Sequence, residues 1–320
     1  MSLLSLVVAL LLEQLRPLPY RRFVREPLQA LADFLEARLN GGARQHGTLA
    51  WLLAVLVPAL LAGLVFYALH ALSPLLAWLW NVGVLYLTLG FRQFSHYFTD
   101  IQLALRMGDL PHARQLLGEW RGSPADDCKA DVNADENSHE IARAAISMAL
   151  VASHRHVFGV LVCFVLLPGP SGAVLYRIAD FLADYWGRSL GRHDGASLGA
   201  FGAFAARAFA VINWLPVRAT AAGFAIVGNF EDAVYCWRTQ ADKESDAGIG
   251  IVLASGAGAL GVRLVPSAAP NEVAEDIVEV GAGEDADADH MQSAVGLVWR
   301  ALLLSLLLLL LLGFAGLAGA

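Results

Sequence analysis

Four arginines set among apolar residues are the first places to look for chemistry. Arg143, Arg207, Arg218 and Arg263 each lie in or beside a hydrophobic stretch. A guanidinium in such surroundings needs a carboxylate, a phosphate or a carbonyl oxygen to face it. Two readings follow. The arginines can be structural, paired with Asp180, Asp184, Glu231 or a lipid headgroup. Alternatively, they face a cytoplasmic pocket that takes a phosphorylated or otherwise anionic small ligand.

A second polar group is His154-Arg155-His156, which with Asp180 forms a candidate cluster on the cytoplasmic face. Histidines at i and i+2 point to different faces of a helix, so they make a poor metal pair, and a basic collar at the membrane surface is the plainer account. No metal or cofactor is expected from the residue pattern, and no nucleophile–base constellation stands out. The run Ser255-Gly-Ala-Gly-Ala-Leu-Gly261 satisfies GxGxxG after a strand-like Ile249–Ala254. A dinucleotide site would need a long helix after the glycines, whereas Pro266 follows almost at once, so close helix packing by small residues explains them better.

These residues have to be positioned by membrane helices. From Gly296 to Ala320 the only charge is Arg300, and roughly 20 helical residues at about 1.5 Å each cross a hydrocarbon core of about 30 Å. Two further apolar runs, within 48–91, are separated by Ser73-Pro74 and predict a helical hairpin. Residues 1–15 predict a marginal, uncleaved first span, since basic residues before the apolar run and a small-residue cleavage site after it are both missing. The stretch 157–185 is broken by Pro168-Gly169-Pro170 and predicts a broken or re-entrant pair, with each half too short to span alone. Ala200–Gly228 is a weaker segment that carries Arg207 and Arg218.

The domain reading is then membrane spans over 1–91 with a basic loop at 16–47, a cytoplasmic helical region at 92–156, and a central membrane region at 157–264. An acidic, disordered linker at 265–294 and a terminal span at 295–320 complete it. Arginines in the loops after the first span and after the hairpin place both loops in the cytoplasm of a bacterial inner membrane. The fold class is all-α, a multi-pass membrane bundle of about five crossings with a broken region. Hydrophobic residues make up 57% of the chain and charged ones 16%, in line with this reading. A net charge of −7 argues against nucleic acid. The three cysteines lack CxxC spacing and an even count, so no disulfide framework is implied. Beyond the bilayer, the partner expected is an anionic or phosphorylated small ligand; the acidic linker reads first as a solvated tether, with recruitment of a basic protein partner as the alternative.

Two segments carry a resemblance. Asn213-Trp-Leu-Pro-Val-Arg218 and Asp246-Ala-Gly248, leading to Ala257-Gly-Ala-Leu-Gly-Val-Arg263-Leu264, resemble motifs of the CobD/CbiB family of cobalamin-biosynthesis membrane proteins and its relative AmpE. Ile141-Ala-Arg143-Ala-Ala145 is similar to the approach to that family's central motif. The resemblance adds Asn213 and Asp246 to the arginines as ligand-binding candidates. It implies an ATP-dependent synthase that joins aminopropanol phosphate, or a similar amino alcohol, to adenosylcobyric acid. The family's E-N-x-x-D-G falls here on His154, Arg155, Phe158 and Gly159, so its acids are replaced. Mg-nucleotide binding is disfavoured there. This favours a non-catalytic, AmpE-like regulatory or accessory protein linked to cell-wall signalling. The synthase is the alternative, and a transporter is a third reading suggested by the broken Pro168–Pro170 region.

Overall fold

Prolines and capping residues punctuate a sequence whose apolar runs otherwise favour continuous helix. A computed structural model of the protein describes residues 2–16, 21–40, 44–121, 134–188, 196–244, 246–264 and 279–318. Helices α1 (Ser2–Leu15), α2 (Glu26–Leu39), α3 (Arg44–Leu72) and α4 (Pro74–Thr88) come first. Next are α5 (Phe91–Arg106), α6 (Leu110–Arg121) and α7 (Ala134–Ser153), the last followed by a π-helical turn at His154–Phe158. They are followed by α8 (Gly159–Leu166), α9 (Ser171–Arg188), α10 (Ala196–Val227), α11 (Phe230–Gln240) and α12 (Ala247–Leu260). Short strands β1 (Val262–Leu264), β2 (Val280–Gly281) and β3 (Glu284–Asp285) precede α13 (Ala288–Ala318).

Among the described residues, four helices are long and apolar enough to cross a membrane: Gln45–Leu72, Ser138–Leu166, Phe201–Val227 and Ala288–Ala315. The chain is an all-α, multi-pass membrane protein. Its outward leucines fit that setting, because Leu303, Leu307 and Leu311 on α13 are more than half exposed and can only be satisfied by lipid. Helices α1 and α4 are shorter, at 14 and 15 residues. The hairpin is present, with its break at Ser73 and Pro74 as the first residue of α4.

The chain divides into two compact units, Met1–Gly90 with Arg155–Pro216, and Phe91–His154 with Val217–Ala320. In the first unit α1 packs on α4, α3 on α9, and α8 on α9. Its largest buried side chains include Tyr176 and Trp186, the latter edge-on to Phe201 at 4.9 Å. In the second unit α11 packs on α12, α5 on α6 and α7, and α7 on α13. A small sheet in the order β2-β1-β3 sits beside them, antiparallel between β1 and β2 and parallel between β1 and β3. Cys236 is fully buried in this unit. Burial, with Asp232 adding to it, pushes its thiol up from the usual range, so it acts as a small apolar packing residue.

Several expectations are corrected. The helical region expected in the cytoplasm at 92–156 ends earlier, because α7, the π turn and α8 form one long helix over Ser138–Leu166. Its apolar face of Ile141, Ala142, Ala145, Ile146, Ala149 and Leu150 is buried. His154 is buried too, so it lies inside a span and not on a surface collar. The first half of the broken region is therefore not too short to span, although the break itself stands between Leu166 and Ser171. Ile249–Ala254 is helical, not strand-like. Asp246 caps α12 by accepting from the Gly248 and Ile249 amides, and nearly the whole helix is buried. A run buried on every side has no polar face for periodicity to read.

The glycines of that helix do serve close packing. A Cβ at Gly258 would meet the Asp232 carbonyl oxygen at 2.5 Å, and one at Gly228 would meet Ala259 at 2.6 Å. Gly261 ends α12 at φ +69°, in the left-handed region that glycine adopts without strain. The disordered linker is the largest correction. Its 265–278 part lies outside the described residues, but 279–294 is ordered, with β2, β3 and the first turns of α13, which starts at Ala288 and not near 295. Asp287 explains that start. Its carboxylate accepts from the Asp289 and His290 amides at 2.9 and 2.8 Å, capping the helix.

Two measurements test this packing. A Cβ at Gly159 would stand 2.2 Å from the Tyr176 ring, so Gly159→Ala should lower the unfolding midpoint in detergent by the equivalent of about 1–3 kcal/mol. Burial pushes the Asp287 carboxyl up, but the hydrogen bonds from His290 and Asp289 outweigh it and hold the group below the ordinary value of 3.8. Its folded-state value is depressed, so its contribution is complete above the ordinary carboxylate range and fades as pH falls through the lowered one. Asp287→Ala should therefore cost about 1 kcal/mol near neutral pH, and the gap to the unaltered protein should begin to narrow only as pH falls below 3.8.

Candidate functional site

The candidate residues fall into two constellations, one in each unit. In the second unit α7 carries Arg143, and β1, just past the Gly261 cap, carries Arg263. Both guanidinium groups meet the same two carboxylates. Arg143 donates to Glu279 Oε1 at 3.2 Å and, through Nη2, to Asp285 Oδ1. Arg263 donates to Asp285 Oδ1 at 2.9 Å and lies 3.7 Å from Glu279 Oε2. The sheet sets this geometry, since Arg263 pairs in register with Gly281 on one side and Asp285 on the other. Side chains from α11 and the following turn hold the β2 region independently. Gln240 grips Gly281 through both its amide N–H and its carbonyl, and Lys243 donates to the Glu279 carbonyl at 2.9 Å.

Glu279 and Asp285 were missed from the sequence because they lie among many acids in a stretch that reads as uniformly solvated. The partners expected for Arg143 and Arg263 (Asp180, Asp184, Glu231) are not the carboxylates that meet them. Arg218 is half-buried on α10, and Arg207 is exposed and donates to the Ala203 carbonyl of its own helix. Asp246 is the α12 cap described above, and that capping is enough to account for a short acidic or amide side chain there.

In the first unit the cluster centres on Asp180 of α9. Arg155 Nε lies 3.7 Å from one of its oxygens and Arg177 Nη1 lies 3.5 Å from the other. Arg177 and Asp180 are 4% and 8% exposed, so these are charges inside the bundle and not at its surface. Such groups need internal partners, because a lone charge at this depth costs several kcal/mol by usual estimates (about 2.5–3.5). Beside them the buried Tyr176 hydroxyl donates to Asn213 Oδ1 at 3.0 Å. Asn213 thus fixes the α9 tyrosine from α10.

His154, expected to join Arg155 and Asp180, belongs instead to the second unit. Its Nδ1 lies 2.9 Å from the buried Thr220 hydroxyl. The split has a local cause. The π turn at His154–Phe158 inserts extra backbone into the helix and re-aims successive side chains, a device common at functional positions. The irregular turn coincides with the positions of the resembled central motif, and this is the structural signal that periodicity could not supply.

The residues do not fit a Mg-nucleotide at that turn. His154, Arg155, Phe158 and Gly159 offer no carboxylate, and among the described residues no group of three histidine, cysteine or acidic side chains could hold a metal ion. What the two constellations offer chemically is convergent cationic hydrogen-bond donors, suited to oxyanions. Removing the shared carboxylate of the first one, in Asp180→Leu, should destabilise the protein strongly. Breaking a buried pair from one side costs about 3–5 kcal/mol. A thermal-shift series in detergent should rank Asp180→Leu well below a control such as Asp100→Ala, whose carboxylate lies in an exposed pair with His96.

Comparison with known proteins places the chain in a family. The family described as CobD/Cbib protein matches residues 6–298. The chain is 36% identical over 312 residues to the "Cobalamin biosynthesis protein CobD" of Stutzerimonas stutzeri (strain A1501), covering 96% of each. It is 35% identical over 227 residues to the protein of the same name from Chromobacterium violaceum, covering 71% of this chain and 68% of that one. No solved structure matches. With nearly its whole length matched, the chain belongs to the CobD/CbiB family.

Proposed function

We propose that this chain works in cobalamin biosynthesis, as a multi-pass protein of the bacterial inner membrane with its arginine-rich loops in the cytoplasm. The reaction is the amide-forming step that joins an amino alcohol phosphate to adenosylcobyric acid. The observation that carries this reading is the near end-to-end likeness to proteins named for that pathway. It shifts the balance away from the cell-wall signalling role first expected, since neither relative's name points there.

The chemistry is compatible with the residues. Joining a carboxyl to an amine requires that the carboxyl be activated and that two anionic partners be brought together. Arg143 and Arg263 in one unit, and Arg155 and Arg177 in the other, provide cationic donors, and the second pair, set around the buried Asp180, binds and orients negative charge more strongly than it would in water. No step is assigned to a nucleotide, because the residues at the π turn do not supply its metal ligands.

A second reading keeps the pathway and drops the catalysis. It is favoured by His154 and Phe158 standing where the resembled pattern has its two acids, and Arg155 where it has its asparagine. Complementation separates the two. A strain lacking the synthase, supplied with cobyric acid, should grow when this chain is expressed. Growth should survive Arg38→Ala, an exposed residue stacked on Phe34, and fall at least about ten-fold in yield with Arg155→Ala. No growth, with the protein present in the membrane, would overturn the catalytic reading and leave the accessory one.

A further inference from the structure

The two arginines of the second unit are held in an unusual way. Three carboxylate oxygens, Glu279 Oε1 and Oε2 and Asp285 Oδ1, lie between two guanidinium ends that come from positions 120 residues apart in sequence. A guanidinium has five N–H donors. Here only the terminal nitrogens are used, and the buried Nε of Arg143 and of Arg263 have no hydrogen-bond acceptor. Two planar donors under-used at the same edge match a group with more oxygens, in tetrahedral array, than a carboxylate has.

The present occupants are not locked in. Glu279 and Asp285 side chains are 39% and 41% exposed and that of Arg263 is 42%, whereas Arg143, at 17%, forms the inner wall of the site. Ion pairs so exposed are each worth about 0.2–1 kcal/mol, so an incoming anion can exchange with them. The backbone carrying the acids does not depend on those pairs. Gln240 holds Gly281 by two hydrogen bonds, Lys243 holds the Glu279 carbonyl, and β3 is zipped to β1. The carboxylates can therefore swing out while the strands stay in place. A pure structural tether would have no need of this second, independent set of restraints.

We propose that Arg143 and Arg263 form a phosphate-binding site whose resting occupants are the chain's own Glu279 and Asp285, which act as a built-in competitor. A phosphate group, on a soluble metabolite or on a lipid headgroup, binds by displacing them. The acids thereby set the concentration at which the site fills. The inference rests on this geometry and not on the synthase reaction, so it can fail or stand separately from the proposed function.

The test uses the full chain in phosphatidylcholine nanodiscs, titrated with inorganic phosphate against chloride at matched ionic strength. Hydrogen exchange reports on the amides of residues 280–286, and the thermal midpoint reports on binding. Phosphate, but not chloride, should raise the midpoint and alter exchange in that segment. In Glu279→Gln/Asp285→Asn the half-maximal phosphate concentration should drop by about ten-fold, equivalent to about 1.4 kcal/mol. Adding Arg143→Gln should abolish the response.

If discs containing phosphatidic acid give the same change without added phosphate, and soluble phosphate then adds nothing, the natural source is a lipid headgroup. The proposal is overturned if the unaltered and the neutralised proteins both treat phosphate as they treat chloride, or if the response survives Arg143→Gln. Should the double variant not fold, Asp285→Asn alone must show a shift of at least about three-fold in the same direction. Equal half-maximal concentrations in that variant and the unaltered protein would overturn the proposal as well.

Discussion

Everything distinctive in this structure follows from one constraint: a guanidinium among apolar helices must be given an anion by the protein itself. The cost of an unmatched charge is highest for the buried Arg177 and Asp180 and lower for the half-exposed Arg263. Arg143 and Arg263 obtain Glu279 and Asp285, and Arg155 and Arg177 obtain Asp180. Even Arg300, the one charge in the last 25 residues, obeys the rule on a smaller scale, donating at 3.0 Å to the Val227 carbonyl at the end of α10. That contact satisfies one of the carbonyls a helix terminus leaves open. Arg207, exposed on α10, contents itself with a carbonyl of its own helix.

The constraint also shapes the elements. Two short strands exist in a helical protein because the acids that meet Arg143 and Arg263 must be brought back to α7 and β1 from 136 residues and 22 residues further along the chain. Pairing β2 and β3 on either side of β1 fixes that return. The π turn at His154–Phe158 has a similar logic. Adjacent residues His154 and Arg155 find different partners, Thr220 for one and Asp180 for the other, and the π turn that begins at His154 shifts the register of the side chains that follow it.

Much of the fold was legible in the sequence because its signals were local. The Ser73-Pro74 break, the Pro168–Pro170 break and the apolar run of α13 each need only proline sterics or hydrophobic length. The site was legible in half. The arginines stand out against apolar neighbours, and the glycines of α12 could be assigned to packing without a fold-wide view. Their partners could not be found, because Glu279 and Asp285 differ from the acids around them only through tertiary pairing. Burial defeated the reading in two places. Ile249–Ala254 has no polar face from which to infer a period, and His154-Arg155-His156 reads as a surface collar unless Thr220 and Asp180 are already known to cover it.

The charges at and around the π turn are balanced from other helices. A base at position 155 in place of an acid or amide would be untenable inside a bundle unless a carboxylate stood opposite, and Asp180 of α9 stands there at 3.7 Å. The same neighbourhood thus contains both signs of charge, carried by the π turn and by α9. Arg177, one turn before Asp180, keeps the surroundings basic as well as balanced. A site built this way favours holding an oxyanion over holding a hydrated cation, because its carboxylate is already engaged from two sides while its guanidiniums point inward. This charge arrangement, more than the count of surviving motif residues, is what any account of the chain's reaction has to satisfy.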